Sequence, residues 1–338
     1  MTEAALPSWL DLIDPDHMRG LEIGALDKPR FDRTRTDVAY VDHAGTDELR
    51  QKYASDAAMA DHLDDIVDVD FVWAGGRLAD VVGDRAPFDF VYASHVAEHA
   101  PDLIGWLDQL ADVLGDGGIV ALALPDKRLC FDVNRSVTEI ADLVDAHLQG
   151  LVAPGYRQIY DFHSKMVAVD PALMWAGLAD YRGVWRTDLD PDLWGYELCL
   201  KHRQTHEYID GHCSVFTPAS FLELYAKLVK LDLIGFEIAS FHPTEPNTIE
   251  FRVCLRKLPT DLDATARRAR QLASIPTFDD VVPAGPAEAA APQADADRVV
   301  MVLSPREQAW IQAKRRAATA ARRTAGQAKA RARRLGRP

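Results

Sequence analysis

Up to about residue 125 the chain alternates short, β-branched apolar runs with amphipathic stretches, and this rhythm limits the fold more than any single residue does. The runs are "GLEIG" (20–24), "VAYVD" (38–42), "IVDVDFVW" (66–73), "FDFVYAS" (88–94) and "GGIVALALP" (117–125). Nearly continuous apolar runs of this length belong to strands buried on both faces. Between them, "TDELRQKYA", "GRLADVVGD" and "DLIGWLDQLADVLGDGG" read as helices, the last stopping at glycines. Strand and helix in alternation predict an α/β fold with a mostly parallel sheet and right-handed crossovers.

Residues 126–216 break the rhythm with aromatics, histidines and prolines, a stretch too long for a bare connection. An insert with structure of its own is expected there, helical or irregular. Regularity returns at Thr217, the N-cap predicted for the helix "TPASFLELYAKLVKL", with Pro218 in its first turn. "GFEIASFHP" and "NTIEFRVCLRK" then read as two strands joined by a Pro- and Asn-rich turn. The expected organisation is one domain over 1–258, a Pro/Ala/Asp-rich linker over 259–300 with a short helix at 261–273, and a helical Ala/Arg-rich tail over 301–338. No internal repeats are found.

Charge is divided unevenly. Formal net charge is -14, yet the 33 residues from Arg306 to Pro338 carry eleven Lys/Arg and one acid. The body is therefore strongly acidic, which disfavours it as a nucleic-acid surface, and the tail suits an anionic lipid surface, nucleic acid or an acidic protein. Four cysteines without a CxxC pair fit reduced thiols. The first residues, "MTEAALPSWLDLIDPDH", lack the pattern of a signal peptide, and no run reaches the ~20 apolar residues of a spanning helix. A cytoplasmic protein is expected, at most peripheral at the inner face of the membrane.

In an open parallel sheet ligands gather at the carboxyl ends of the strands. The first such end is "LEIGALDKP", where Glu22, Ile23, Gly24 and Ala25 enter a tight turn. "YVDHAG" ends the second strand about 20 residues on, so the Asp42 carboxylate can take both hydroxyls of a ribose, with His43 beside it; an ordinary turn aspartate is the alternative. After the third strand Gly75, Gly76, Arg77 and Leu78 are candidates for backbone and apolar ligand contacts. The fourth is "FDFVYASHVAEHAPDL", with Ser94 at the strand end.

The segment "FDxVxxxxVxEH", followed by "LxxLxxVLxxGGxxxxxxP", resembles the class I S-adenosylmethionine-dependent methyltransferase superfamily over residues 19–125 and 217–257. "YVDHAGTDELRQKY", "ASHVAEHAPD", "LPDKRLCFD" and "FTPASFLEL" are similar to a bacterial branch associated with glycan assembly. The resemblance implies a Rossmann-like seven-stranded sheet ending in an antiparallel hairpin, with S-adenosylmethionine as cofactor. Leu26 and Lys28 stand where that family's loop usually has its second and third glycines, and Pro29 suggests that the first helix is short or missing. A donor without phosphate tolerates the looser loop.

Methylation of a hydroxyl needs a base or a metal. His95 and His99 are the candidate bases. His95, Glu98 and His99 share a face if a helix starts after Ser94, and H-x-x-E-H resembles the E-x-x-E-H metal site of some methyltransferases. A further ligand would come from "KHRQTHEYIDGHC", which offers His202, His206 and His212. A histidine-rich set suits Zn²⁺, Mn²⁺ or Fe²⁺ better than Mg²⁺. The same pair can also merely cap and pack a helix. Asp126, Lys127 and Arg128 are expected at the pocket mouth, as an anion clamp or as a solvated turn. His163, His206, His212 and Trp185, with Trp175 and Trp194, offer a sugar platform or the core of a lid. The expected activity is O-methylation of a sugar hydroxyl on a bacterial glycan or precursor. The rival readings are an RNA 2′-hydroxyl enzyme and a non-catalytic binding protein.

Overall fold

The computed structural model describes residues 8–55, 59–177 and 190–277. Trp185, most of the expected linker and the whole basic tail lie outside them.

Seven strands form one sheet: β1 (Gly20–Ile23), β2 (Val38–Asp42), β3 (Phe71–Val72), β4 (Phe88–Ser94), β5 (Leu114–Pro125), β6 (Phe236–His242) and β7 (Glu250–Lys257). Their order is β3-β2-β1-β4-β5-β7-β6, parallel from β3 to β5, with β7 antiparallel to both its neighbours. The expected fold class is therefore present, a Rossmann-like sheet with a closing antiparallel hairpin. The third strand is shorter than its sequence run, because only Phe71 and Val72 reach a pairing partner on β2.

The period of two along each strand sorts side chains into two layers. Val91, Ala93, Val120, Leu122 and Leu124 face α2 (Leu78–Val82), α3 (Leu103–Val113) and α8 (Pro218–Lys230). Phe90, Tyr92, Ile119, Ala121 and Ala123 face the other way, onto Trp9, Leu10, Ile13 and Phe31. No helix lies between β1 and β2, so this second face is roofed by an N-terminal turn and an irregular loop, as the Pro29 signal implies. Gly20 is required by that roof: a Cβ there would come within 2.0 Å of the Phe90 ring.

On either side of the insert, α3 and α8 begin where the sequence says. Asp102 caps α3 by accepting from the Gly105 amide, and Thr217 and Ser220 cap α8 reciprocally. The insert is helical, with α4 (Ile140–Gln149), α5 (Tyr156–Lys165), α6 (Pro171–Trp175) and α7 (Pro191–Thr205). Trp194 packs with Ile159, Leu198 and Ile209 between α5 and α7, so it belongs to the insert's own core and not to an exposed platform. Trp175 donates to the Thr248 carbonyl at 2.8 Å and ties the insert to the β6–β7 turn.

One boundary is corrected. The expected linker starts too early, because α9 (Ala264–Ala273) is part of the domain. Buried Gln271 donates to the Ile234 and Phe236 carbonyls at 2.8 and 2.9 Å, and Arg270 forms two bonds with Glu237. All four cysteines are free thiols. Among the described residues no helix is long and apolar enough to cross a membrane.

Candidate active site

The loop after β1 is built around Glu22. Its carboxylate is almost fully buried and accepts from the Arg30 and Phe31 amides at 2.7 and 3.0 Å. Burial pushes the carboxyl up to about 7, against the two amides, which favour the anion. Glu22 is thereby corrected from a cofactor contact to the residue that pins the loop. Tyr40 adds a bond from its hydroxyl to the Phe31 carbonyl at 2.6 Å. Within the loop Gly24 has φ +72 and Leu26 φ +49. Leu26 thus holds the left-handed conformation that a glycine adopts without strain. Ile23 and Ala25 bury their side chains, which leaves backbone as what they offer a ligand.

Asp42 closes β2 with its carboxylate nearly buried, one oxygen taken by the His43 amide at 2.7 Å and by His43 Nδ1 at 2.6 Å. His43 in turn contacts Lys52 Nζ at 3.1 Å. Gly75 and Gly76 turn the chain after β3 with φ +147 and +76, exposed to solvent. Two neighbours are engaged elsewhere. Leu78 is wholly buried in the helix-side core, with its amide held by Gln109 Oε1, and Arg77 reaches out to Asp112 on α3. The remaining strand-end residues, backbone at 23–25, Asp42, Gly75, Gly76 and half-buried Ser94, line one edge of the sheet and fit an adenosyl cofactor: a carboxylate for ribose and glycine turns on either side.

Past β4 the expected helix does not form. His95 takes φ +53, Ala97–His99 makes a single 3-10 turn, and α3 waits until after Pro101. His95, Glu98 and His99 therefore do not share a helical face. His95 Nε2 lies 2.8 Å from Glu250 and its Nδ1 3.5 Å from Glu98. Burial alone would lower its pKa, but the two carboxylates outweigh burial and raise it to about 10. This shift favours the imidazolium at neutral pH and weighs against His95 as a base.

His212 takes its place beside Glu98 and His99. The Cys213 and Ser214 amides donate to the Glu98 carbonyl at 2.7 and 3.0 Å, which stitches residues 211–216 to the 97–99 turn. Gly211 makes the close pass possible, since a Cβ there would lie 2.6 Å from Phe162. The His99 and His212 rings then meet edge to face at 4.7 Å. His99 Nδ1 is held by Asp210 at 3.0 Å and His212 Nδ1 by Asp132 at 2.5 Å. Burial opposes protonation of His99, but Asp210 and Glu98 outweigh it and raise its pKa. Asp210 falls to about 2, burial being outweighed by its bond to His99. Arg135, itself buried, fixes Asp132 at 2.8 Å and the His212 carbonyl at 2.8 Å.

The other expected substrate residues are placed less favourably. Asp126 is fully buried, bonded to Arg128 through both oxygens and to Thr244 Oγ1 at 2.8 Å. Lys127 Nζ is bonded to the Val133 carbonyl. The trio anchors the insert to the sheet and is corrected as a pocket mouth. His163 lies at the cluster's rim, its Nε2 3.1 Å from the Asp210 carbonyl. His202 contacts the Glu207 carbonyl, and exposed His206 ends α7 in a left-handed conformation. Neither joins the cluster. Sequence reasoning did not single out Asp132, Arg135, Asp210 or Glu250, although "CFD" and "DGH" lay within quoted motifs.

Residues 6–228 match the family model described as "Methyltransferase domain", about two thirds of the chain. The chain belongs to this methyltransferase family. It is an S-adenosylmethionine-dependent methyltransferase. No curated protein matches its sequence. Similar solved structures include the CurJ carbon methyltransferase, at 12% identity over 74% of this chain and 51% of that one, with TM-score 0.35. This chain thus spans about half the length of CurJ's. The CcbJ methyltransferase from Streptomyces caelestis shows 13% identity over 72% and 84%, with TM-score 0.35. The methyltransferase CalH, solved with SAH, shows 15% identity over 72% and 52%, with TM-score 0.33.

Proposed function

We propose that this methyltransferase acts on oxygen, at a sugar hydroxyl of a bacterial glycan or glycan precursor. The observation that carries the reading is the polar cluster after β4. When bound, the cofactor supplies an electrophilic methyl carbon. A neutral amine attacks such a carbon unaided, whereas a hydroxyl must lose its proton as it attacks. Glu98, His99 and His212, beside the end of β4, provide for that loss. Asp210 and Asp132 hold each ring by Nδ1 and leave Nε2 directed to the work. Asp42 would orient the ribose, and the Glu22-pinned loop would set the height of the methyl donor over the cluster. The saccharide reading rests on the helical insert that covers the cluster and on the sequence likeness to glycan-assembly enzymes.

An RNA 2′-hydroxyl is a second acceptor of the same chemistry, favoured by the basic stretch from Arg306. The acidic remainder of the chain weighs against it. The test incubates the full chain with labelled S-adenosylmethionine and two panels, nucleotide sugars with oligosaccharides, and short RNAs. The product bond is then assigned by NMR. A methyl ether on a sugar of the first panel is the expected product. Methyl transfer only to nitrogen or carbon would overturn the reading, and transfer to a ribose 2′-oxygen would replace the acceptor.

A further inference from the structure

We propose that Glu98, His99 and His212 form a three-residue site for a divalent transition-metal ion. The inference deepens the hydroxyl-methylation reading and rests on it only for what the ion does.

The first observation is a buried carboxylate without a hydrogen bond. Glu98 has no exposed surface, and neither carboxylate oxygen accepts a hydrogen bond among the described residues. Leaving a buried carboxylate in this state is costly, and native structures place a partner at such a group. The surrounding groups stop short: His95 Nδ1 lies at 3.5 Å and His212 Nε2 at 3.9 Å from Oε1. His95 is already engaged with Glu250.

The second observation is geometric. One ligand atom each from Glu98, His99 and His212 falls within 4.8 Å of the others. Ligands at about 2.0–2.2 Å from a shared ion stand roughly 3–3.6 Å apart, so closure asks for side-chain shifts of about 1 Å. Both rings are prepared for it. Each is tied through Nδ1 to an aspartate, the arrangement that fixes the tautomer, aims Nε2 and raises ligand basicity. Asp132 is itself held by Arg135. The Glu98, Asp210 and Asp132 carboxylates make the vicinity negative, while the Arg135 guanidinium is shared between Asp132 and Asp161. Access runs past His99, the most exposed of the three, at 32%.

The donor set selects the ion. Two imidazoles and one carboxylate suit Zn²⁺, Mn²⁺, Fe²⁺ or Co²⁺, whereas Mg²⁺ prefers oxygen ligands and retained waters. Three protein ligands leave coordination positions open for an acceptor oxygen. The ion would lower the pKa of that hydroxyl, so that its proton could leave to solvent water and His99 would not have to accept it.

The test uses the full chain, stripped with chelator and dialysed. Co²⁺ is added as a spectroscopic probe, and Zn²⁺, Mn²⁺ and Mg²⁺ are titrated by calorimetry. One Co²⁺ per chain with visible d–d bands is expected, as is Zn²⁺ or Mn²⁺ binding at least 100-fold tighter than Mg²⁺. Glu98→Gln and His99→Asn should each weaken binding by 100-fold or more, and Asp132→Asn by about 10–100-fold. All should keep affinity for S-adenosylhomocysteine, which certifies the fold. Absence of stoichiometric binding, or unchanged affinity in folded Glu98→Gln and His99→Asn, overturns the site. That failure is separable from failure of the acceptor reading. A metal-free chain that still makes a sugar ether leaves the His99–Asp210 pair as the base, while a metal-binding chain that methylates nitrogen leaves the ion and removes the hydroxyl.

Discussion

Glu22 shows how a single buried carboxyl couples the cofactor loop to pH. Its folded pKa is raised to about 7 by burial, from an ordinary value of 4.5. Between those two values the folded chain holds a proton that the unfolded chain has released. Stability contributed by the neutral form is complete below about 4.5 and is lost as pH rises through about 7. At ~1.4 kcal/mol for each tenfold difference in proton affinity between the folded and unfolded chain, the loss reaches about 3 kcal/mol. Glu22→Gln should flatten this part of the Tm-against-pH curve while loosening the loop through the exchanged amide donors. Parallel curves for the two proteins would remove Glu22 as the source. Asp42 is tested differently, by calorimetry with S-adenosylhomocysteine. Asp42→Ala should weaken binding by roughly 1.5–3 kcal/mol, the worth of a charged hydrogen bond. Unchanged affinity in a folded variant would take Asp42 out of the site. Gly20→Ala belongs to the same scale: its Cβ meets the Phe90 ring at 2.0 Å, and overpacking of this kind costs about 1–3 kcal/mol. A Tm within a degree of the parent would mean that the ring moves aside without cost.

Between elements, legibility follows sequence distance. The five strands up to residue 125, the capped α8 and the missing helix after β1 are local features, written in apolar runs, Thr217 and Pro29. The place of Asp42 at the end of β2 was legible for the same reason, since a strand end is a local event. The candidate cluster was half legible. Glu98 and His99 sit in a motif, but their partners arrive from afar: Asp210 is 111 residues beyond His99, and Asp132 is 80 residues before His212. Nothing in residues 126–216 says which of its histidines the insert folds back. His212 is selected by Gly211 and by two amides on the Glu98 carbonyl, whereas His202 and His206 end a helix and stay outside. The false start at His95 has a similar cause, since periodicity foretells a helix but not the 3-10 turn forced before Pro101 and Asp102. The helix expected over 261–273 is present as α9, but its docking onto the domain was not legible, because its apolar face is small. What docks it is a polar residue, Gln271, on two carbonyls. Gln271→Ala should therefore cost about 1–2 kcal/mol, because the Ile234 carbonyl loses its donor while Phe236 keeps the Tyr225 hydroxyl. Denaturant unfolding measures this directly, and a midpoint equal to the parent's would make α9 an ornament and not a part of the domain.

At the scale of the molecule, the charge pattern separates catalysis from placement. Eleven bases lie from Arg306 onward, and the rest of the chain carries 51 of the 52 acids. Acidic residues also tie up the candidate site, where Asp132, Asp210 and Glu250 are each committed to a histidine. A cationic stretch so far along the chain from that site, and so unlike it in sign, is better suited to bringing the enzyme to an anionic surface than to handling a methyl group. On the proposed glycan-precursor reading, an anionic lipid surface is the expected target. Each base near such a surface contributes about 1 kcal/mol, within a Debye length of ~8–10 Å. Trp310 and Ile311 are too few apolar anchors for deep insertion, so binding should be reversible and salt-sensitive. The test keeps the chain at full length and changes only charge, with Arg322, Arg323, Arg333 and Arg334 replaced by Gln. Sedimentation with vesicles containing phosphatidylglycerol should pellet the parent at low salt and release it at high salt. The variant should pellet less, by on the order of 10²-fold or more in affinity, since four bases are lost. Turnover of a soluble acceptor should be equal in the two proteins. Equal pelleting of parent and variant would remove the docking role, and a matching fall in turnover would place the basic stretch in acceptor binding instead.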